Sequence, residues 1–384
     1  MRAVTRRPTV WWWCGGVVAV LVFVLVTCLT IPGALPDLKV YRAGGSAWLR
    51  GISLYTQDFP SWLPFTYPPV AAVLFSALAV MPFVVAALVL TVVGLVALTV
   101  STLFAVPGTV GERLPGPLVA VAVVAAALLV EPVRVTLTYG QVNLLLMGLV
   151  ALDCLLPRTR YPRGLLIGIA AAVKLTPAVF VLYFLARRQY VPAATAVGTF
   201  VGVTGVGFLV APRDSVVYWY TTVFDPNRIG GADFATNQSL RGALSRFDLS
   251  AGLTQAAWLL LAVAVLGLAW QGARRADEPV TALLVVAAAG LAVSPVSWSH
   301  HWVWVVPAVV AWGLRGDRWY GAVVVAAVFA VGHRYLPYGR DRELDWVWWQ
   351  HVLGNSYLLA ALGFLCWAAV GRRVGLPNPA RAAS

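Results

Sequence analysis

Apolar runs roughly 20 residues long, the length a helix needs to cross a bilayer's hydrocarbon core, recur from end to end of this chain of 384 residues. A soluble core of this size cannot bury so much apolar surface. The runs are continuous rather than alternating, which excludes the strand pattern of a membrane β-barrel. Charged residues make up 11% of the chain and fall mostly between the runs. The expectation is an all-α, polytopic membrane protein forming one integral membrane domain over residues 1–384.

Twelve apolar segments are read, at about 11–31, 68–81, 83–106, 116–131, 139–156, 163–185, 190–211, 255–270, 279–295, 300–314, 318–335 and 352–370. Several are shorter than a comfortable span and are half-helices or begin inside the protein. The first lacks an Ala-x-Ala exit and is expected to be retained. Arginine placement gives orientation. Arg2, Arg6 and Arg7 put the N-terminus in the cytoplasm, and the pairs Arg187–Arg188, Arg274–Arg275, Arg315–Arg318 and Arg372–Arg373 mark later cytoplasmic ends. An even count of about twelve transmembrane segments returns the C-terminus to that side. It also leaves loops 32–67, 212–254, 296–300 and 336–351 outside.

Loop 157–163, with Arg158, Arg160 and Arg163, breaks the charge rule in that count. The alternative makes 68–106 one kinked crossing and 163–185 a re-entrant hairpin tipped by Lys174. Charge alone does not decide between them. Both keep the first loop, the 212–254 loop and His300 on one outer face. The tail 374–384 is expected to be disordered, and neither an internal repeat nor a soluble domain is visible.

The net charge of +13 comes from 28 basic residues, all arginine except Lys39 and Lys174. Such charge tethers cytoplasmic loops and meets anionic headgroups of membrane lipid. Nucleic-acid binding would need a basic face on a soluble module, which the chain lacks. Cys14, Cys28, Cys154 and Cys366 lie in or beside apolar segments, without metal-ligand spacing or a disulfide framework. They read as packing residues, and no carboxylate cluster calls for a metal.

Residues 32–67 are where chemistry fits. Asp37 lies at the water–lipid boundary, where a water-facing base meets a lipid-borne substrate; its other reading is a helix cap. Asp58 is the second carboxylate of this loop. Leu38, Tyr41, Ala47, Trp48 and Leu49 suit a short amphipathic helix on the membrane surface, with Lys39, Arg42 and Arg50 toward water. Pro68–Pro69 then starts the next helix.

Lys174 is the lysine inside an apolar segment. Unpaired, it is costly there, which favours a functional role over snorkelling. His300 and His301 follow a proline and a tryptophan at an outer boundary and can donate hydrogen bonds there. His333 and His351 have no such context. Arg134 is either paired with Glu131 or free to meet an anion. Gln141 and Asn143 either bind a polar ligand or join helices. Most of the 17 tryptophans read as interfacial belt residues. Trp298, Trp346, Trp348 and Trp349 fall on outer loops, where flat rings can stack on a ligand.

Asp37-Leu-Lys-Val-Tyr41, Gly51-Ile-Ser-Leu-Tyr55 and Thr66-Tyr-Pro-Pro69 resemble the first loop of the GT-C glycosyltransferases. More narrowly, they resemble that of glycosyltransferase family 87, polyprenyl-phosphate-mannose-dependent mannosyltransferases. Gly140-Gln-Val-Asn143, Lys174-Leu-Thr-Pro177, Asn237-Gln-Ser239 and Ser294-Pro-Val-Ser-Trp-Ser-His-His301 follow in the family's order. The C-terminal half is shorter than the family pattern. The resemblance implies a GT-C fold with a structured first outer loop and an active site on the outer face of the plasma membrane.

The resemblance also implies inverting transfer of mannose from a polyprenyl monophosphate to a hydroxyl of a glycolipid acceptor. An α-1,2 linkage on a phosphatidylinositol mannoside is expected, with lipomannan or lipoarabinomannan as the next acceptor. Asp37 is then the base, with Asp58 the secondary candidate. Lys174, His300, His301 and Arg134 are the donor-phosphate candidates. Tyr41, Tyr67, Gln141, Asn143, Asn237, Gln238 and Trp298 are the sugar and acceptor candidates. No cofactor, metal or obligate protein partner is implied. A lipid-sugar transporter or flippase is the competing reading. It would show repeats and paired midplane charges, whereas here polar residues gather toward one face.

Overall fold

A computed structural model describes residue 26 and residues 34–56, 59–61, 63–106, 124–247, 249–314 and 319–371. The expected first span 11–31, Asp58, Cys14, Cys28 and the tail 374–384 lie outside the described residues. Within them the architecture is all-helical, and the β-pairing is an isolated bridge between Asn237 and Trp298.

Residues 34–56 are structured. Helix α1 (Pro36–Leu49) starts at a proline whose fixed φ suits a first turn. Leu38, Tyr41 and Ala47 are fully buried, while Lys39 and Arg50 are exposed. Arg42 departs from the expectation of facing water. Its guanidinium donates to the carbonyls of Leu78 and Met81 at the C-terminal end of α2 (Pro69–Val80). A basic group belongs there, because the last carbonyls of a helix lack intrahelical donors. Helices α1 and α2 lie so close that a Cβ on Gly45 would stand 2.6 Å from the Phe75 backbone. Pro82 then separates α2 from α3 (Phe83–Leu103).

Helices α4 (Glu131–Tyr139) and α5 (Asn143–Leu155) meet at a bend of 116°. Gly140 makes the bend with φ +68°. Its N–H goes to Leu137 O at 3.2 Å and that of Gln141 to Thr136 O at 2.9 Å, the paired closure of a Schellman motif. A Cβ at Gly140 would meet Leu38 Cβ at 2.9 Å, so both the turn and the approach of α1 require glycine.

Asp153 of α5 accepts from the N–H groups of Gly164 (2.8 Å) and Ile167 (2.9 Å). It thereby caps α6 (Leu165–Val173) from a neighbouring helix. Lys174 is extended, Pro177 opens a 3-10 turn (Thr176–Phe180), and α7 (Val181–Ala186) runs back. Tyr183 Oη donates to Cys154 O at 3.2 Å. A Cβ on Gly164 would meet Pro192 O, near the start of α8 (Tyr190–Val210), at 2.1 Å. Residues 154, 164, 183 and 192 therefore share one end of the bundle. The segment 163–185 leaves that end and returns to it, with Lys174 at its tip.

The re-entrant alternative fits that geometry better than the twelve-crossing count does. The count puts Asn143 and His300 on opposite sides of the membrane, yet Asn143 Nδ2 donates to His300 O at 2.9 Å. The re-entrant alternative puts them together.

Helices α9 (Pro212–Tyr220) and α10 (Leu240–Ser245) lie in the long loop. Then follow α11 (Ala251–Arg275), α12 (Pro279–Val293), a 3-10 turn (Ser299–Trp304) leading into α13 (Val305–Gly313), and α14 (Trp319–Val331). Helices α15 (Trp348–Gly354) and α16 (Ser356–Val370) are bent by 72°. Among the described residues three helices, α3, α8 and α11, are long and apolar enough to cross a membrane, or up to five spans if each bent pair is one. Arg187 Nη1 donates to Ala276 O at 3.0 Å and Arg275 to Ala369 O, so these arginine-rich turns gather at one end.

The long loop is held by Arg246, which is 1% exposed. It donates to the carbonyls of Asp233, Phe234 and Asn237 and to Asn355 Oδ1, with its guanidinium over the Trp346 ring.

Replacing Gly140 by alanine tests the bend. The left-handed backbone alone costs about 1–2 kcal/mol, and the contact with Leu38 adds to it. A lower melting temperature in detergent is expected. An unchanged one would show that the bend tolerates a side chain and that α1 is not packed against it.

Candidate active site

The Gly140 bend carries two amides to one place. Gln141 Oε1 accepts from Tyr41 Oη at 2.9 Å and Tyr67 Oη at 3.5 Å, and the two phenols lie 2.9 Å apart. Tyr41 stacks on Phe75 at 4.4 Å between centroids. With its oxygen taken by the tyrosines, Gln141 turns its amide donor toward Asp37. Tyr41 is fully buried; it orients Gln141 and does not face an open cleft.

Asp37 sits in the first turn of α1, half-buried. Leu35, just before the helix, holds a left-handed backbone (φ 56°, ψ 49°) with its N–H on Thr138 O at 3.0 Å. A leucine there is strained, and the bond to α4 ties the strained residue to the bend. Burial pushes the Asp37 carboxyl up to about 6, against the Lys174 ammonium and the Gln141 amide, which pull it down.

Lys174 Nζ donates to Asn143 Oδ1 at 3.0 Å and lies 3.2 Å from His301 Nε2. The ammonium donates there, so His301 carries its proton on Nδ1. The Tyr67 ring centroid lies 5.7 Å from Lys174 Nζ. Asn143 Nδ2 and Thr136 Oγ1 (2.8 Å) both donate to the His300 carbonyl, fixing the two histidines against the bend. The His300 ring stands 5.4 Å from Tyr139, and its Nε2 is buried without a protein partner.

Asp37, Tyr41, Tyr67, Gln141, Asn143, Lys174, His300 and His301 thus converge from five separate stretches of sequence. Beside them opens a cleft of about 60 Å3 lined by Asn143, Lys174, Ser297 and His301. An apolar cavity of about 410 Å3 lies between α12, α13, α14 and α16. Leu291 and Trp304 line both. Among the described residues no three His, Cys, Asp or Glu side chains gather as a metal site.

Other candidates are placed elsewhere. Arg134 is exposed and donates to the carbonyls of Leu128, Leu129 (2.5 Å) and Ala330. The arginine near Glu131 is Arg334, at 3.9 Å. Asn237 donates to Ala232 O and Pro295 O and accepts from Ser297 N. Gln238 donates to Ala235 O and Gly354 O and accepts from Tyr357 N. Both amides are fully buried, and their polar atoms are engaged by backbone, so they stitch the long loop rather than offer groups to a sugar. Trp298 is half-buried against Phe234. Trp346 is buried, whereas Trp348 is 79% exposed.

The sequence reading passed over Thr136, Ser297 and Ser299. Ser299 Oγ donates to the buried Glu131 Oε1 at 2.7 Å. The available signal was the serine spacing in the 294–299 turn beside the two histidines.

A sequence profile of glycosyltransferase family 87 matches residues 65–295. A polyprenol-phosphate-mannose-dependent alpha-(1-2)-phosphatidylinositol mannoside mannosyltransferase of Mycobacterium tuberculosis is 40% identical over 359 residues, covering 87% of this chain and 84% of that protein. Its counterpart in Mycolicibacterium smegmatis is 39% identical, covering 84% of this chain and 80% of that protein. A polyprenol-phosphate-mannose-dependent alpha-(1-2)-phosphatidylinositol pentamannoside mannosyltransferase of Mycolicibacterium smegmatis is 35% identical, covering 93% of this chain and 90% of that protein. No solved structure matches. With that coverage, and with the matched turns meeting around Asp37 and Lys174, the chain is a glycosyltransferase and belongs to glycosyltransferase family 87.

Proposed function

We propose that the protein transfers mannose from a polyprenyl-phosphate-mannose to a phosphatidylinositol mannoside, forming an α-1,2 bond with inversion, on the outer face of the plasma membrane. The observation that carries this reading is the meeting of Asp37 with Lys174 at the Gly140 bend, an acid–base group beside a cation. The names of the four related mannosyltransferases support the donor and the acceptor class.

Asp37 takes the proton of the attacking acceptor hydroxyl. Its raised pKa makes it a stronger base than an ordinary carboxylate while leaving it ionised at neutral pH. Gln141, turned by Tyr41 and Tyr67, holds the carboxylate. Lys174 meets the donor phosphate and offsets the charge that develops on it as the sugar departs. Asn143 and His301 hold the ammonium from two sides. The apolar cavity that shares Leu291 and Trp304 with the cleft suits the polyprenyl chain. Asp58, outside the described residues, is the secondary base.

The hairpin at 163–185 supports a topology of ten crossings. Segment 68–106 then crosses once and loop 157–163 falls inside. Arg158, Arg160 and Arg163 join the other cytoplasmic arginines, and the positive-inside rule holds throughout. The Gly140 bend, the Lys174 tip and the histidine turn all lie toward the outside. Sugar nucleotides are cytoplasmic, so a site there needs a lipid-borne sugar.

Asp37→Asn is expected to lower transfer by about 10²–10⁴-fold in a protein that stays folded and binds donor. Near-normal turnover by a well-expressed variant would remove the assignment, and loss on Asp58→Asn instead would move it. The base must be ionised, and its pKa is raised to about 6. Wild-type kcat/KM should therefore fall as pH drops through about 6, not through 3.8. A profile flat down to pH 5 would contradict this.

Lys174→Ala should raise the donor KM or lower kcat by about 10-fold or more, with acceptor KM little changed. A change confined to acceptor KM would turn Lys174 away from the donor.

Single cysteines at the exposed positions Arg50, Arg340 and Arg160, in a background without native cysteines, test the topology. Arg50→Cys and Arg340→Cys should react with a membrane-impermeant thiol reagent in intact cells. Arg160→Cys should react only after membrane disruption. Labelling of Arg160→Cys from outside would restore the twelve-crossing count.

A further inference from the structure

The turn before the two histidines holds a buried hydroxyl with nothing to bind. Ser297 is 1% exposed. Its N–H donates to Asn237 Oδ1 at 2.9 Å, and its carbonyl accepts from Gln238 N at 2.8 Å. The backbone is thus fixed from the long loop on both sides, yet Ser297 Oγ has no protein partner. Ser297 lines the cleft together with Asn143, Lys174 and His301. Ser294 lines it too, but its hydroxyl already donates to Val296 O at 2.9 Å. Native structures rarely bury a polar group unpaired, and the exceptions mark a ligand, a water or a functional group.

The neighbours say what is missing. The Lys174 ammonium is rich in donors, with two of its three placed on Asn143 and His301. The Ser297 hydroxyl adds another. A small cleft with two unpaired donors, one of them on a positive charge, calls for an anion with more than one acceptor oxygen. A sugar hydroxyl supplies fewer acceptors and no charge. We propose that the Ser297 hydroxyl donates a hydrogen bond to the monophosphate of the lipid donor, alongside Lys174, and holds it as the leaving group. This rests on the function proposed above.

In the transfer, the acceptor oxygen bonds to mannose C1 and the bond from C1 to the phosphate oxygen breaks. The electron pair stays on the phosphate, and the acceptor's proton passes to Asp37. Ser297 keeps its own proton. Its contribution grows as negative charge builds on the phosphate, so it acts on turnover as well as binding.

Ser297→Ala removes one oxygen. Turnover of polyprenyl-phosphate-mannose, inhibition by sugar-free polyprenyl monophosphate, and melting temperature without ligand are measured for wild type and variant. A fall in kcat of about 10- to 100-fold is expected, with inhibition by polyprenyl monophosphate weakened to a similar degree. Acceptor KM should hold. The ligand-free melting temperature should be unchanged or higher, because an unpaired buried hydroxyl is removed. A purely structural serine would instead lower the melting temperature and leave the inhibition unchanged, and that result overturns the proposal. Wild-type kcat with wild-type inhibition in the variant also overturns it, while leaving the mannosyltransferase reading intact. If wild type neither uses the donor nor is inhibited by polyprenyl monophosphate, the function and the Ser297 role fall together.

Discussion

Everything around the site depends on one residue that can take a left-handed turn without a side chain. Gly140 closes α4, reverses the chain by more than a right angle, and lets α1 sit against it through Leu38. From that reversal Gln141 reaches the tyrosines and Asp37, while Asn143 reaches Lys174 and the histidine turn. A straight helix here would spread those two amides along a lipid-facing rod. The bend converts neighbours in sequence into a corner that other elements dock against.

An apolar chain can hold few charges away from water, and each must be met by others. The protein does so in three ways. Asp37 and Lys174 face each other across side-chain amides. Arg246 is enclosed by carbonyls and the Asn355 amide oxygen, with an indole face beside it. Arginines at helix ends, such as Arg42 and Arg275, donate to terminal carbonyls that have no other partner. The latter two uses stabilise the fold. Lys174, at the bend, instead lines a cleft.

The helical architecture was legible because continuous apolar runs have one solution in a bilayer. The grouping of the candidate residues was legible in part, because Lys174, His300 and His301 are conspicuous where they stand, and because Gly140-Gln-Val-Asn143 carries its own turn. Arg134 caps carbonyls beside its own helix, while Arg334 approaches Glu131 from a distant helix end, a partner the local sequence does not show. Asn237 and Gln238 are a different case. An amide that binds sugar and one that binds backbone look the same until the carbonyls around it are placed. Arginine placement left the crossing count open. Charge tells which end of a segment is inside, but a segment that turns back has the same charge at both ends. The bond between Asn143 and His300 favours the turned-back segment.

The hairpin at 163–185 also acts as a ruler. Both of its feet stand at one end of the bundle, fixed by Asp153 and by Tyr183 on Cys154. The height of its tip is then set by the nine residues of α6, about 13 Å of helix, and not by the thickness of the surrounding lipid. The cationic tip keeps a constant level within the protein when the bilayer thins or thickens around it. In the proposed transfer a lipid phosphate, whose own level follows the headgroups, must come to that mark.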